Sequence, residues 1–150
     1  MDTGFVRYIG SLSDMKGISR WIGIKDAAIG TGHAVGLLVD GTVVTAGRVS
    51  AGQNDVEDWS NIIAVSASNS NTAGLKADGT VVVAGRDNHG QKDAETWEDI
   101  VTLSVGPGFI VGLKIDGTVV AAGRIAGGTD AENQKVLDEI TSWNNIGPAF

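Results

Sequence analysis

The chain has 150 residues with 18 acidic and 11 basic side chains, a formal net charge of −7, and its length favours a single domain. Such an acidic protein is a poor match for nucleic-acid phosphates or for a membrane surface, and we expect neither partner. The sequence contains no cysteine, which excludes disulfides and thiolate chemistry, and its 22 glycines indicate many tight turns.

The first element comprises residues 1–20. It lacks the basic start and apolar run of a signal peptide, so we expect a cytoplasmic protein. Asp2 precedes Trp21 by 19 residues, as Asp40 precedes Trp59. Residues 1–20 are therefore predicted to be the last strand of a repeat unit followed by its connector.

Three copies of one repeat follow. Trp21, Trp59 and Trp97 are 38 residues apart, and 13 of 38 aligned positions are identical in all three copies. A period this strict indicates a repeat architecture. The predicted units are residues 21–58, 59–96 and 97–142, and all belong to one domain.

Each unit is predicted to form a small antiparallel sheet of three strands. In the second copy the β-rich segments are residues 61–68, 72–77 and 80–85, followed by a polar connector, 86–96. Asp78-Gly79 predicts a type I′ hairpin turn between the last two strands. Glycines 36, 74 and 112 lie inside second strands, which predicts close approach of a neighbouring backbone.

The connector of the third copy carries an insertion, because Trp143 follows Trp97 by 46 residues. Thr129 is a suitable N-cap for a short helix with Val136, Leu137 and Ile140 on one side. This helix is interpreted either as a lid over a seam between chains or as a partner-binding element. Residues 143–150 restart the repeat and are predicted to be the first strand of a further unit.

The repeat motif resembles a known superfamily. It reads Trp59-x-x-Ile62, then Gly-Leu-Lys-x-Asp-Gly-Thr-Val-Val-x-Ala-Gly-Arg ending at Arg86, then His-Gly-Gln ending at Gln91. This pattern resembles the regulator-of-chromosome-condensation repeats, and its short period is most similar to the bacterial branch that includes the propeller-type β-lactamase inhibitory protein. The resemblance implies an all-β fold, a β-propeller of short three-stranded blades that usually closes with seven. It implies little about function, because family members use the ring as a platform for different partners.

Three whole blades cannot complete a ring, since propellers need four to eight. We therefore expect a second copy of the chain to complete it, giving a homodimer with six or eight blades. Two alternatives stay open: the chain is a fragment of a longer protein, or a larger oligomer forms.

Chemistry-bearing motifs are sparse. His33 and His89 are the only histidines, and neither has the spacing of a metal site. Carboxylate pairs such as Asp55 and Glu57 recur with the repeat, which points to structure rather than catalysis. We expect no catalytic residue, no metal and no cofactor, and hence no enzyme.

Positions that vary between copies are better candidates for binding. Loops between first and second strands, and residues after the third strands, differ from copy to copy. Phe109 is a candidate aromatic anchor there, or is half-buried in the central channel. The candidate partner-binding residues on this loop face are His33, Asn69, Asn71, Phe109, Asp87, Asn88 and His89.

Arg48, Arg86 and Arg124 recur after each third strand. In a ring they could hold an anion, or each could pair with a connector carboxylate. The repeated tryptophans are predicted to pack between blades.

The sequence therefore favours a non-enzymatic protein–protein interaction module whose loop face binds an unidentified protein, with enzyme inhibition as one version. The alternatives are a structural or assembly component and a propeller that binds a small ligand or glycan.

Overall fold

The computed structural model describes residues 17–47, 50–125 and 127–144. These residues contain three antiparallel sheets, in each of which three strands pair in chain order. The predicted three-stranded units are confirmed, and we call them blades 1, 2 and 3. Their strands are β1 (Ile24–Ile29), β2 (His33–Leu38) and β3 (Val43–Gly47); β4 (Ile62–Ala67), β5 (Asn71–Lys76) and β6 (Val81–Gly85); and β7 (Ile100–Gly106), β8 (Phe109–Lys114) and β9 (Val119–Gly123).

The second and third strands of each blade are joined by a hairpin, as predicted, but the turn type is not I′. Gly79 has a φ of 84°, whereas Asp78 does not have a positive φ. The Gly79 N–H donates to the carbonyl of Lys76 at 3.0 Å, so the loop is a turn that ends in a left-handed glycine. Asp78 Oδ1 stabilises it by accepting from the N–H of Thr80 at 3.0 Å and from its hydroxyl at 2.6 Å. The other two hairpins repeat these side-chain bonds.

Backbone hydrogen bonds join consecutive blades. The Ile62 N–H donates to the carbonyl of Gly41 at 3.0 Å, and the Ile100 N–H donates to that of Gly79 at 2.9 Å. Each bond links the first strand of one blade to the hairpin of the blade before it. Asn61, just before Ile62, has a left-handed φ of 56°, which turns the chain into this position.

The apolar core lies between blades rather than within one. Val35 and Leu37 of blade 1 pack in one buried cluster with Ile62 of blade 2. Leu75 of blade 2 packs in a second cluster with Ile100 of blade 3. Because side chains alternate along a strand, each blade contributes one face to each neighbour.

Two of the repeated tryptophans, Trp59 and Trp97, lie in these interfaces, as predicted. Trp59 packs against the cluster shared by blades 1 and 2, and Trp97 against the one shared by blades 2 and 3. A Cβ added at Gly74 would lie 3.0 Å from the ring of Trp59. The close neighbour of this glycine is therefore the indole ring of its own blade, and the prediction that a neighbouring backbone lies there was wrong.

The connectors carry the helical elements. Short 3₁₀ helices span Ile18–Arg20 and Gln91–Thr96. Helix α1 (Asp130–Thr141) confirms the predicted insertion helix and begins at a capping box between Thr129 and Glu132. The partial blades predicted for residues 1–20 and 143–150 lie mostly outside the described residues.

Candidate interaction surface

The loop face is the rim at which first and second strands are joined. The chain leaving the third strands of blades 2 and 3 is bound to the same rim, because the Arg86 N–H donates to Ser70 O at 3.1 Å and the Arg124 N–H donates to Gly108 O at 2.8 Å. The hydroxyl of Thr31 donates to Oδ1 of Asn69, which links the loops of blades 1 and 2. Residues far apart in the sequence therefore form one continuous surface.

His33 is buried beneath this surface. It is the first residue of β2, not a turn residue, and it is 0% exposed. Its Nε2 lies 2.9 Å from Oγ1 of Thr72, whose hydroxyl donates to Gln53 O at 2.9 Å. Nε2 therefore carries the proton, and Nδ1 has no hydrogen-bond partner among the described residues. Burial lowers the pKa of His33, because the charged imidazolium loses its hydration.

Two other candidates are also covered. Asn71 is 3% exposed, and its Nδ2 donates to the carbonyl of Arg86 at 2.7 Å. Phe109 is half-buried, and its ring occupies the space beside Gly106. As placed, His33 and Asn71 cannot touch a partner, and only part of the Phe109 ring can.

The remaining four candidates are exposed: Asn69, Asp87, Asn88 and His89. The last three form one connector loop of blade 2. Asp87 Oδ1 accepts from the N–H of Lys92 at 2.8 Å, and Oε1 of Gln91 accepts from the N–H of His89 at 3.0 Å. Hydrogen bonds from backbone N–H groups to side-chain oxygens therefore fix this loop, while the side chains of Asn88 and His89 face solvent.

The role of Gln91 was not identified from the sequence. Gln53 holds the same position in the connector of blade 1, where its Oε1 accepts from the N–H of Ala51 at 2.8 Å. Both glutamines are buried, at 3% for Gln53 and 2% for Gln91. The available signal was the Gly-Gln pair repeated in the first two copies; the third copy has Thr129 there, which caps α1 instead.

The three arginines are in different situations. Arg124 forms an ion pair with Asp130 at 3.1 Å and also donates to the carbonyl of Gly128. Arg86 is exposed, and Arg48 lies outside the described residues. For Arg124 this is a pairing with a connector carboxylate; the anion site formed by all three stays a prediction.

Within residues 17–47, 50–125 and 127–144, no group of three or more histidine or acidic side chains is arranged to hold a metal ion. Over the same residues, no helix combines the length and apolar character needed to cross a membrane.

The geometry defines a repeat protein of short three-stranded blades that pack face to face, the architecture of a β-propeller. Residues 62–91, which lie in the second of the three units, match the family model of the regulator of chromosome condensation (RCC1) repeat. No curated protein sequence matches the chain.

Solved structures share the fold at low sequence identity. Prp20p from Saccharomyces cerevisiae is 17% identical with a TM-score of 0.59, over 69% of this chain and 31% of that one. The CRINKLY WD40 ectodomain of the Arabidopsis thaliana receptor kinase ACR4 is 18% identical with a TM-score of 0.58, over 67% of this chain and 42% of that one. Human WBSCR16 is 16% identical with a TM-score of 0.58, over 71% of this chain and 35% of that one. The chain thus spans about a third of the length of the yeast structure, and the likeness shows the fold alone.

Proposed function

We propose that this chain is a non-enzymatic protein-interaction module that presents its loop face to a protein partner. The observation that carries the proposal is the contrast between a repeated framework and unlike loops held on it. The inter-blade residues Ile62, Leu75 and Val81 recur as the same residue types in every copy, whereas the rim carries Asn69 on one blade and Pro107 on the next. Loops fixed by backbone bonds lose little conformational entropy when a partner docks.

The contact residues proposed on this face are the exposed ones, Asn69, Asp87, Asn88 and His89, with the accessible edge of Phe109. In this proposal the buried His33 and Asn71 support the loops from below. Prp20p, which shares the fold, has binding properties to Gsp1p and histones and has been seen bound to Kap60. Use of the fold for protein partners supports the class of function; inhibition of an enzyme by covering its cleft is one version of it.

We also propose that another blade packs on each outer face of the described arc, and that a second copy of the chain supplies it. Ile62 and Ile100 are 1% and 3% exposed inside the arc, whereas Ile24, at the same repeat position on the outer face of blade 1, is only half-buried. At the other end Leu113 is half-buried, whereas Leu37 is 0% exposed. Ile24 and Leu113 are therefore incompletely covered at the two ends of the arc. At the internal interfaces the residues at these two repeat positions pack against each other, as Leu37 does with Ile62. The same observation favours the alternative that assembly itself is the function.

The loop face is tested by affinity capture with matched variants. An Asn88→Ala, His89→Ala double variant is compared with a Val136→Ala variant on the exposed surface of α1. A stoichiometric protein partner that is lost from the first variant and retained by the second supports the proposal. Equal capture by both variants would contradict it.

Ring completion is tested by light scattering. A solution mass of about twice the 15.4 kDa chain supports completion by a second copy. A folded species of single-chain mass at high concentration would refute that part and leave the loop-face proposal standing.

A further inference from the structure

An open groove lies on the rim opposite the loop face, between blades 2 and 3. We call it the hairpin groove. Its aliphatic lining is Ile63, Val101 and Ile115, which are 48%, 39% and 74% exposed. Single exposed apolar side chains are ordinary on protein surfaces, whereas large contiguous apolar patches are typical of interaction sites. The described residues expose eight large apolar side chains, and three of them meet in this groove.

Backbone irregularities direct two of these side chains into the groove. The pairing of β4 with β5 shifts register between Ile62 and Ala64, so Ile63 is the extra residue of a bulge. The pairing of β7 with β8 shifts in the same way around Val101. Such bulges turn a side chain away from its normal alternation. The same position in blade 1 is Lys25, so the aliphatic pair is specific to blades 2 and 3.

The walls of the groove are fixed by backbone hydrogen bonds. The Ile115 N–H donates to Asp99 O at 2.8 Å, and the Ile100 N–H donates to Gly79 O at 2.9 Å. The Ala77 N–H, on the facing hairpin, donates to the carbonyl of Asn61, just before β4, at 2.9 Å. The groove therefore exists before any partner arrives, which lowers the entropy cost of binding.

Carboxylates flank the apolar lining. Asp78 and Asp99 border the groove, against one lysine, Lys76. The hydroxyl and N–H of Thr80, with a smaller contribution from Lys76, lower the pKa of Asp78, which therefore stays ionised at neutral pH. The border thus carries a net negative charge on a chain whose own net charge is −7.

We propose that the hairpin groove is a second docking surface, which binds a protein segment presenting an apolar side chain flanked by lysine or arginine. The aliphatic lining receives the apolar side chain, and the carboxylates of Asp78 and Asp99 attract the cations. A second copy of this groove would bring like charges together, and an anionic membrane would be repelled for the same reason.

The test uses a blocked peptide, Gly-Ser-Lys-Phe-Lys-Ser-Gly, titrated into the full chain with methyl-labelled isoleucine and valine for NMR. We expect saturable shifts at the methyls of Ile63, Val101 and Ile115 with a dissociation constant on the order of 1 mM. Replacing the phenylalanine by alanine, or both lysines by glutamate, is expected to weaken binding at least about 5-fold.

Two variants complete the test. Ile115→Ser is expected to weaken peptide binding about 5-fold, since it removes apolar contact area. Val39→Ser is the matched control, because Val39 is 71% exposed at the same hairpin position of blade 1. Equal weakening by both variants, equal binding of all three peptides, or shifts spread over the surface would overturn the proposal. The Asn88→Ala, His89→Ala variant should bind the peptide normally, so a failure of the loop face would not count against the groove.

Discussion

The same repeat position is a leucine in all three blades, but the exposed fraction of its side chain differs from blade to blade. The contribution of inter-blade packing to the free energy of unfolding can therefore be compared within one protein. Leu37 and Leu75 are 0% and 1% exposed in the two internal interfaces, and Leu113 is half-buried on the outer face of blade 3. Truncating a fully buried leucine to alanine costs about 2–5 kcal/mol, because apolar contact is lost and a cavity remains. We expect about 3 kcal/mol for Leu37→Ala and for Leu75→Ala, and about half of that for Leu113→Ala in a single chain.

The assay is urea unfolding followed by far-UV circular dichroism at two chain concentrations about 100-fold apart. If a second copy covers blade 3, the cost of Leu113→Ala rises with concentration towards that of Leu37→Ala, since association stabilises the folded state by mass action. The costs of the two internal substitutions should differ from each other by less than about 1 kcal/mol. With the protein shown by light scattering to be a single chain at the lower concentration, a Leu113→Ala cost equal to that of Leu37→Ala at that concentration would refute the reasoning, because it would mean that blade 3 is fully covered within one chain.

Three further outcomes are expected. Gly74→Ala should cost about 1–3 kcal/mol in urea unfolding, because its Cβ would crowd the indole ring, whereas Gly17→Ala, whose nearest neighbour would be at 3.6 Å, should be close to neutral. Burial lowers the pKa of His33 in the folded state, so the unfolded chain takes up a proton first and stability falls as pH drops below about 6.5. His33→Asn should therefore flatten the slope of unfolding free energy against pH between pH 7.5 and 5.5, and an unchanged slope would contradict this. Thr129→Ala removes the N-cap of α1 and should speed amide hydrogen exchange in that helix alone by about 5-fold, corresponding to about 1 kcal/mol. An equal acceleration of exchange in the strands of the blades would contradict this.

Much of the fold could be predicted from the sequence because the same strand and turn residues recur in each blade. β-Rich segments bounded by turn residues marked the strands. Thr129, ahead of a segment with Val136, Leu137 and Ile140 on one side, marked the helix start. The period of 38 residues then gave the blade number without any knowledge of tertiary contacts.

The parts that could not be predicted depend on neighbouring blades. His33 was predicted to be a partner-binding residue of the loop face, because position and composition alone do not reveal that the Thr72 hydroxyl of the next blade lies 2.9 Å from its ring. The register shift at Ile63 is likewise invisible in the sequence, since an extra strand residue is defined only by its pairing partner. The turn type was missed because Asp78 bonds to Thr80, which favours a turn that leaves only the glycine left-handed.

The bond between the Ile62 N–H and Gly41 O has an evolutionary consequence, since it involves only main-chain atoms. A duplicated unit of 38 residues brings its own donor at one side and its own acceptor at the other. Unequal crossing-over can therefore lengthen or shorten such a gene by whole units. Each new copy can form this main-chain hydrogen bond to its neighbour without any change in its side chains. Selection is then left free to diversify the surface of each copy separately.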